Sequence, residues 1–246
     1  MIFDDAPSDW RKLEALVAQA FDEMGCKVTS DKTIAKIRST SQIDVYVEDP
    51  TLSPPAIYLC ECKHWKKPVP KRVVQQFRTI ISDAGANLGI IISEKGFQSG
   101  AQEEAACTNV RLYSWHDFQK AFEERWTKTM AERLRKLACE CADLAFEAYH
   151  AESSPEGDRL SRELSWDLFC ESARIFKVGC CEKTVVEECQ SVRFCETGPE
   201  LTASQADIWV ELRTKREFYD YAIPLAEEFK RKLQRYLAIQ CAHPPK

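Results

Sequence analysis

The sequence predicts an α/β fold over its first half, a mixed central sheet flanked by helices, followed by a mainly helical α+β region. Three observations carry this. DWRKLEALVAQAFDEM, residues 9–24, repeats apolar side chains at helical spacing, whereas Leu88–Ser93, LGIIIS, is one short unbroken apolar run. Helical and strand-like segments then alternate as far as residue 126, which is the signature of a sheet covered by helices. Beyond about Thr127 the alternation stops and helical stretches dominate.

In the first helix, Leu13, Leu16, Val17, Ala20, Phe21 and Met24 share one face, and Gly25 supplies a C-terminal stop. Short strands follow near Lys27–Thr29, Ile43–Val47 and Ile57–Cys62, the last two joined by the Pro-rich segment Asp49–Pro55. Lys71–Ser82 reads as a helix and Leu88–Ser93 as a fully buried strand. A loop at Glu94–Ser99, with Ser99 as a helix N-cap, leads into a short Ala-rich helix. Val110–Tyr113 is the last strand of this half and Trp115–Trp126 its last helix. A boundary near residue 127 divides the chain into domains 1–126 and 127–246. In the second, Met130–Tyr149, Leu164–Lys177 and Leu225–Leu237 read as helices, with two or three strand-like runs in 184–223.

Composition is that of an ordinary soluble globular protein: 44% hydrophobic residues, 30% charged residues and a net charge of −5. No run reaches the ~20 apolar residues of a membrane span, and the acidic start MIFDDAPSDW lacks a signal-peptide pattern. A cytoplasmic location without membrane partners is therefore expected. In a reducing compartment, most of the 12 cysteines behave as small buried hydrophobes. The tightest group, Cys180, Cys181, Cys189 and Cys195, lacks paired Cys-x-x-Cys spacing and has no histidine nearby, which argues against a structural zinc site.

YLCECKHW, Tyr58–Trp65, admits three readings: sulfur ligands for a metal, cysteines packed in a core, or a carboxylate and a lysine offered for chemistry. Side chains at i and i+2 of a strand share a face, so Glu61 and Lys63 project together and Cys60 and Cys62 project to the other side. The cysteines are then core residues. Asp44, between Ile43 and Val45, would join the charged pair if its strand lies antiparallel to that of Glu61. Two carboxylates and a lysine suit metal-assisted phosphodiester hydrolysis. Mg²⁺ takes hard oxygen ligands and acidifies a bound water, and a lysine orients that water or places positive charge where negative charge develops. Lys63, Lys66, Lys67, Lys71, Arg72 and Arg78 follow with no acidic residue from Cys62 to Ser82. That stretch is either a solvated helix face or a grip on nucleic-acid phosphates. Taken by spacing alone, an Asp followed later by Glu-x-Lys occurs by chance on many surface strands.

A wider pattern adds to it. WRKLEALVAQAF with MGCKV, QIDVYV, LCECKHW, KRVVQQF, GANLGIIISEKGFQSGAQEEA and VRLYSWHDF, in this order over about residues 8–122, resemble the PD-(D/E)xK nuclease superfamily, and within it the Mrr-type restriction endonucleases. The resemblance implies a restriction-endonuclease-like core acting on DNA with Mg²⁺, for which Mn²⁺ can substitute, in bacterial defence such as restriction. It implies metal-ligand roles for Asp44 and Glu61, a catalytic role for Lys63, and an additional acidic contributor in Glu14 at the margin of the first helix's apolar stripe. Gln76 is the expected supporting residue on the following helix, and Lys66, Lys67, Lys71 and Arg72 the expected nucleic-acid contacts. Many Mrr-type members carry Gln where this chain has Glu61, and the change adds a negative ligand. His64 and Trp65 are expected at the rim or in packing rather than in catalysis. A nuclease-fold module that binds nucleic acid or protein without cutting, and an RNA-directed nuclease, stand as alternatives. A homodimer, or a regulatory partner bound through the C-terminal region, is left open.

SQIDVYVE, Ser41–Glu48, recurs as SQADIWVE, Ser204–Glu211, with five of eight positions identical. This is either chance similarity between amphipathic strands or the mark of a degenerate nuclease-like half, with FYDYAIP, Phe218–Pro224, as its next strand.

Overall fold

The computed structural model describes residues 1–35, 40–151, 192–196 and 208–242. Contacts divide the chain into two units, Met1–Thr129 and Met130–Lys246.

The first unit begins with helix α1 (Trp10–Glu23). The Asp9 carboxylate accepts from the Lys12 N–H at 2.9 Å and caps its start. Gly25, at φ +80°, closes its end while Cys26 N–H reaches back to the Phe21 carbonyl at 3.0 Å. Strands β1 (Lys27–Ala35), β2 (Thr40–Asp49) and β3 (Ala56–Lys63) follow, then α2 (Lys71–Asp83), β4 (Leu88–Ser93), α3 (Ser99–Ala106), β5 (Val110–Tyr113) and α4 (Trp115–Ala151). The expected order of elements through residue 126 holds, with β1 longer than the sequence suggested. The five strands lie in spatial order β1-β2-β3-β4-β5; the first three are antiparallel neighbours and β3-β4-β5 run parallel. The sheet is therefore mixed.

Strand alternation sorts the side chains between two helical layers. Leu59 of β3 and Ile91 of β4 pack with Val74, Phe77 and Ile81 of α2 and with Ala101 and Ala105 of α3. Tyr58 of β3 instead meets Phe21 of α1, which also packs edge-on against Phe118 and Phe122 of α4. Gly89 lets α2 approach β4 closely. A Cβ there would stand 2.0 Å from Ile81 Cδ1 and 2.9 Å from Phe77 Cε1.

One buried charge was not foreseen. Asp49, the last residue of β2, is fully buried. Its carboxylate accepts from Arg125 Nη1 at 2.6 Å, Thr51 Oγ1 at 2.7 Å, Thr51 N at 3.1 Å and the Tyr58 hydroxyl at 3.0 Å. Burial works against its charge, but Arg125, Thr51 and Tyr58 together outweigh burial and hold it far below the usual carboxylate range. This network ties α4 to the sheet.

Two expectations about helices are corrected. The helix expected to end at Trp126 runs on, α4 being continuous from Trp115 to Ala151. Trp126, Met130, Leu134, Ala138, Cys141, Ala145 and Ala148 are all buried at steps of three or four residues, so an apolar stripe persists across the boundary. The helix after β4 starts at Ser99 itself, with Gln98 in the cap position and no side-chain cap bond.

In the second unit β6 (Val192–Glu196) pairs antiparallel with β7 (Ile208–Leu212), and α5 (Lys215–Ala242) follows. FYDYAIP is therefore helix, not strand. Phe218, Tyr219, Ala222, Ile223, Ala226, Phe229 and Leu233 are buried at helical spacing, and Pro224 sits inside the helix. The proposed echo of the first half thus loses the strand it needed next. Asp207, Leu164–Lys177 and the Cys180–Cys189 group lie outside the described residues. Among the described residues no helix is long and apolar enough to cross a membrane.

Candidate active site

The site forms where β2 leaves its regular pairing. The β2–β3 ladder ends at Val45↔Cys60, one step short of Asp44. On the other edge the β1–β2 register passes from Ser30↔Val45 to Lys32↔Ile43, skipping Asp31, which has the left-handed φ of +52°. Asp44 replaces the lost ladder bond with its side chain, its Oδ2 accepting the Cys62 N–H at 2.7 Å. The carboxylate is thereby fixed over the end of β3.

Glu61 and Lys63 rise from β3 on the same face, and β4 supports them from the other side through Glu61↔Ile91 and Lys63↔Ser93. The Lys63 ammonium donates a short hydrogen bond to Glu61 Oε2 and stands 3.7 Å from Asp44 Oδ2. All three side chains are less than a quarter exposed. Cys60 and Cys62 point the other way, into the core, at 0% and 5% exposure. No zinc-like use of these sulfurs is compatible with that, and burial pushes both thiols up.

Glu14 is partly buried on α1. Burial, then the charges of Asp44 and Asp31, push its carboxyl up to about 7. Burial likewise raises Glu61, against the pull of Lys63. For Lys63 burial favours losing the proton, but Glu61 and Asp44 outweigh it and hold the ammonium above its ordinary value. Two carboxylates, Asp44 and Glu61, face the one ammonium of Lys63, so the cluster holds more acidic groups than its one lysine balances.

That excess tests the fit of a divalent cation. Asp44 and Glu61 converge on one ammonium, which occupies the place of a counter-charge between two hard oxygen donors. This suits Mg²⁺, which binds through one or two carboxylates and keeps water for its other positions. Among the described residues no three acidic, cysteine or histidine side chains gather tightly enough to enclose a metal. Glu14 is thus an electrostatic neighbour of the pair.

The remaining candidates stand apart from this cluster. Gln76 is exposed on α2, with no hydrogen bond to Asp44, Glu61 or Lys63. Lys66, Lys67, Lys71 and Arg72 are exposed. Lys71 lies 3.5 Å from Glu104, which also takes Arg78 at 2.7 Å and Gln75 at 3.1 Å, so part of the basic run is already neutralised by α3. His64 Nε2 faces Glu94 Oε2 at 3.2 Å beside the cluster. The loop after β4 is pinned by Val69 N–H to the Gly96 carbonyl at 2.9 Å and Gln98 N–H to the Val69 carbonyl at 3.0 Å. Asp31, unremarked in the sequence, is the additional carboxylate whose charge reaches Glu14.

Residues 6–122 match the family model Mrr_cat, described as restriction endonuclease. Curated proteins give no match. Among solved structures, the crystal structure of a protein of unknown function, AF1548, is similar at 15% identity with a TM-score of 0.40, over 69% of this chain and 99% of that one. That likeness is too distant to bear on function. Residues 6–122, a mixed five-stranded sheet with flanking helices, thus form a restriction-endonuclease-like domain similar to the Mrr-type enzymes of the PD-(D/E)xK nuclease superfamily.

Proposed function

We infer that the protein is a Mg²⁺-dependent endonuclease that hydrolyses phosphodiester bonds in DNA, in a restriction-like defence role. The observation that carries this is the convergence of Asp44, Glu61 and Lys63 at the end of β3, two carboxylates against one ammonium. A module that only binds has no need of a carboxylate pair so costly to place together. Asp44 and Glu61 would hold the cation, and Mn²⁺ could take its place. When bound, the cation neutralises charge on the phosphate and acidifies a water.

The chain's own groups do the rest. Lys63, paired with Glu61 and Asp44, brings an ammonium to face the negative charge that builds on the phosphate. Glu14, titrating near neutrality, can take up or release a proton beside the pair. Lys66, Lys67 and Arg72 offer charge to the nucleic-acid backbone, and among the described residues they form no ion pair. One such site cuts one strand.

The test is cleavage of supercoiled plasmid, linear DNA and RNA in Mg²⁺ or in EDTA, with Asp44→Ala and Lys63→Ala alongside. Nicking of DNA in Mg²⁺, absent in EDTA and reduced at least ~100-fold in each variant, is expected. Cleavage that persists in either variant removes the assignment. Cleavage of RNA alone moves the substrate.

A further inference from the structure

Trp65 follows His64, two residues after Lys63. It is 42% exposed, whereas Trp126, Phe21, Phe77 and Phe118 of the same unit are buried. Its ring centroid lies 5.8 Å from Lys63 Nζ. Lys66 and Lys67, the next two residues, are exposed as well. The segment that carries it is anchored at both ends, by Lys63 in β3 and by the fully buried Val69, which is bonded to the loop at Gly96 and Gln98. The indole is therefore held out on a short, fixed span beside the reacting centre. A second exposed indole, Trp10, stands at the start of α1 with the Arg11 guanidinium 5.0 Å over its ring.

A flat aromatic face beside a phosphate-binding lysine matches one partner well, the face of a nucleobase. Inside a duplex both faces of every base are already covered by neighbours. An unpaired base offers a free face, and stacking it on an aromatic side chain is a main source of affinity for single strands. Because the span is fixed beforehand, little ordering cost offsets the contact.

We propose that Trp65 is a stacking platform for an unpaired nucleobase next to the scissile phosphate, so that the preferred substrate is single-stranded or locally unpaired DNA rather than intact duplex. The proposal rests on the nuclease reading of the Lys63 site, and its test is a binding measurement that needs no cleavage. The full chain, its Trp65→Ala variant and its Trp65→Phe variant are titrated in EDTA with an end-labelled DNA strand, the same strand annealed to its complement, and an RNA of the same sequence. The wild type should bind the single DNA strand more tightly than the duplex. Trp65→Ala should weaken single-strand binding roughly 5- to 150-fold, the range that base–aromatic stacking spans, and leave duplex binding unchanged. Trp65→Phe should recover most of the loss. Unchanged single-strand affinity in Trp65→Ala overturns the proposal. An equal loss on single strand and duplex also overturns it, because the ring would then only be holding Lys63 in place. Tighter binding of RNA with the same dependence on Trp65 overturns the assignment to DNA. If the stacking pattern holds while plasmid is never cut in Mg²⁺, the reaction fails and the platform stands. If plasmid is cut and Trp65 is neutral, the reverse is true.

Discussion

Replacing Glu14 by Gln should make the metal-free protein more stable at pH 8 while leaving its stability at pH 4 unchanged. Glu14 rises from an ordinary 4.5 to about 7 in the folded chain, a difference of about 2.5. Below 4.5 both folded and unfolded chains carry the proton, and the carboxyl costs nothing. Between 4.5 and 7 the unfolded chain releases it while the folded chain retains it, so stability falls as pH rises through that window and is level above it. At 1.36 kcal/mol per unit the ceiling is about 3.4 kcal/mol. Glu14 is only partly buried and its neighbours can share protons, so solvent reduces this to about 1–2 kcal/mol. At ~2.1 cal/mol/K per residue, a unit the size of Met1–Thr129 converts that to a Tm difference of about 4–7 °C. The assay is thermal melting of both proteins in EDTA from pH 4 to pH 8. The gap between them should open through the window and shrink when Mg²⁺ is added, since a cation at Asp44 and Glu61 offsets the charge that raises Glu14. Parallel melting curves across the whole range would refute the reasoning, because neither burial nor the charge of Asp44 would then be raising Glu14.

Two other outcomes follow from the core. Arg125→Ala leaves the buried Asp49 carboxylate with only Thr51 and Tyr58 and should cost about 3 kcal/mol by chemical denaturation at pH 7. The deficit should shrink as pH falls through the range where Asp49 of the folded variant, no longer held down by Arg125, takes up its proton before Asp49 of the folded wild type does. Alkylation of the native protein should modify the exposed Cys107 and Cys139 and spare the buried Cys26, Cys60, Cys62 and Cys141, as peptide mass mapping would show. Equal labelling of Cys60 and Cys107 would turn β3 over and take Glu61 out of the site.

Much of the nuclease half was legible because its signals are local. Alternation in LCECK alone separates the sulfurs from the charged pair, and the structure keeps them on opposite sides of β3. Asp44 was legible as a candidate, but not its bond to the Cys62 N–H, which depends on where the β2–β3 ladder stops. Asp49 had a signal that went unread. It continues the buried series Ile43, Val45, Val47, so a charge there had to find a partner inside. Arg125 could not be matched to it from sequence, as the two are 76 residues apart. The continuity of α4 was hidden by Thr127, Lys128 and Thr129, a polar stretch with two threonines. Such residues lower helix propensity by tenths of a kcal/mol each, which packing of Trp126, Met130 and Leu134 overrides. FYDYAIP misled for the opposite reason, since aromatic and β-branched residues favour strands until tertiary burial at helical spacing decides otherwise.

Asp44 serves two masters with one carboxylate. One oxygen holds the end of β3 by taking the Cys62 N–H, and Lys63 reaches that same oxygen. Losing the side chain therefore strands a backbone donor as well as the Lys63 ammonium, whereas losing Lys63 disturbs no backbone bond. In a descendant of this chain that had given up cutting, Lys63 would be free to drift while Asp44 was still retained for shape. Persistence of the aspartate would then mark the scaffold, and persistence of the lysine the enzyme.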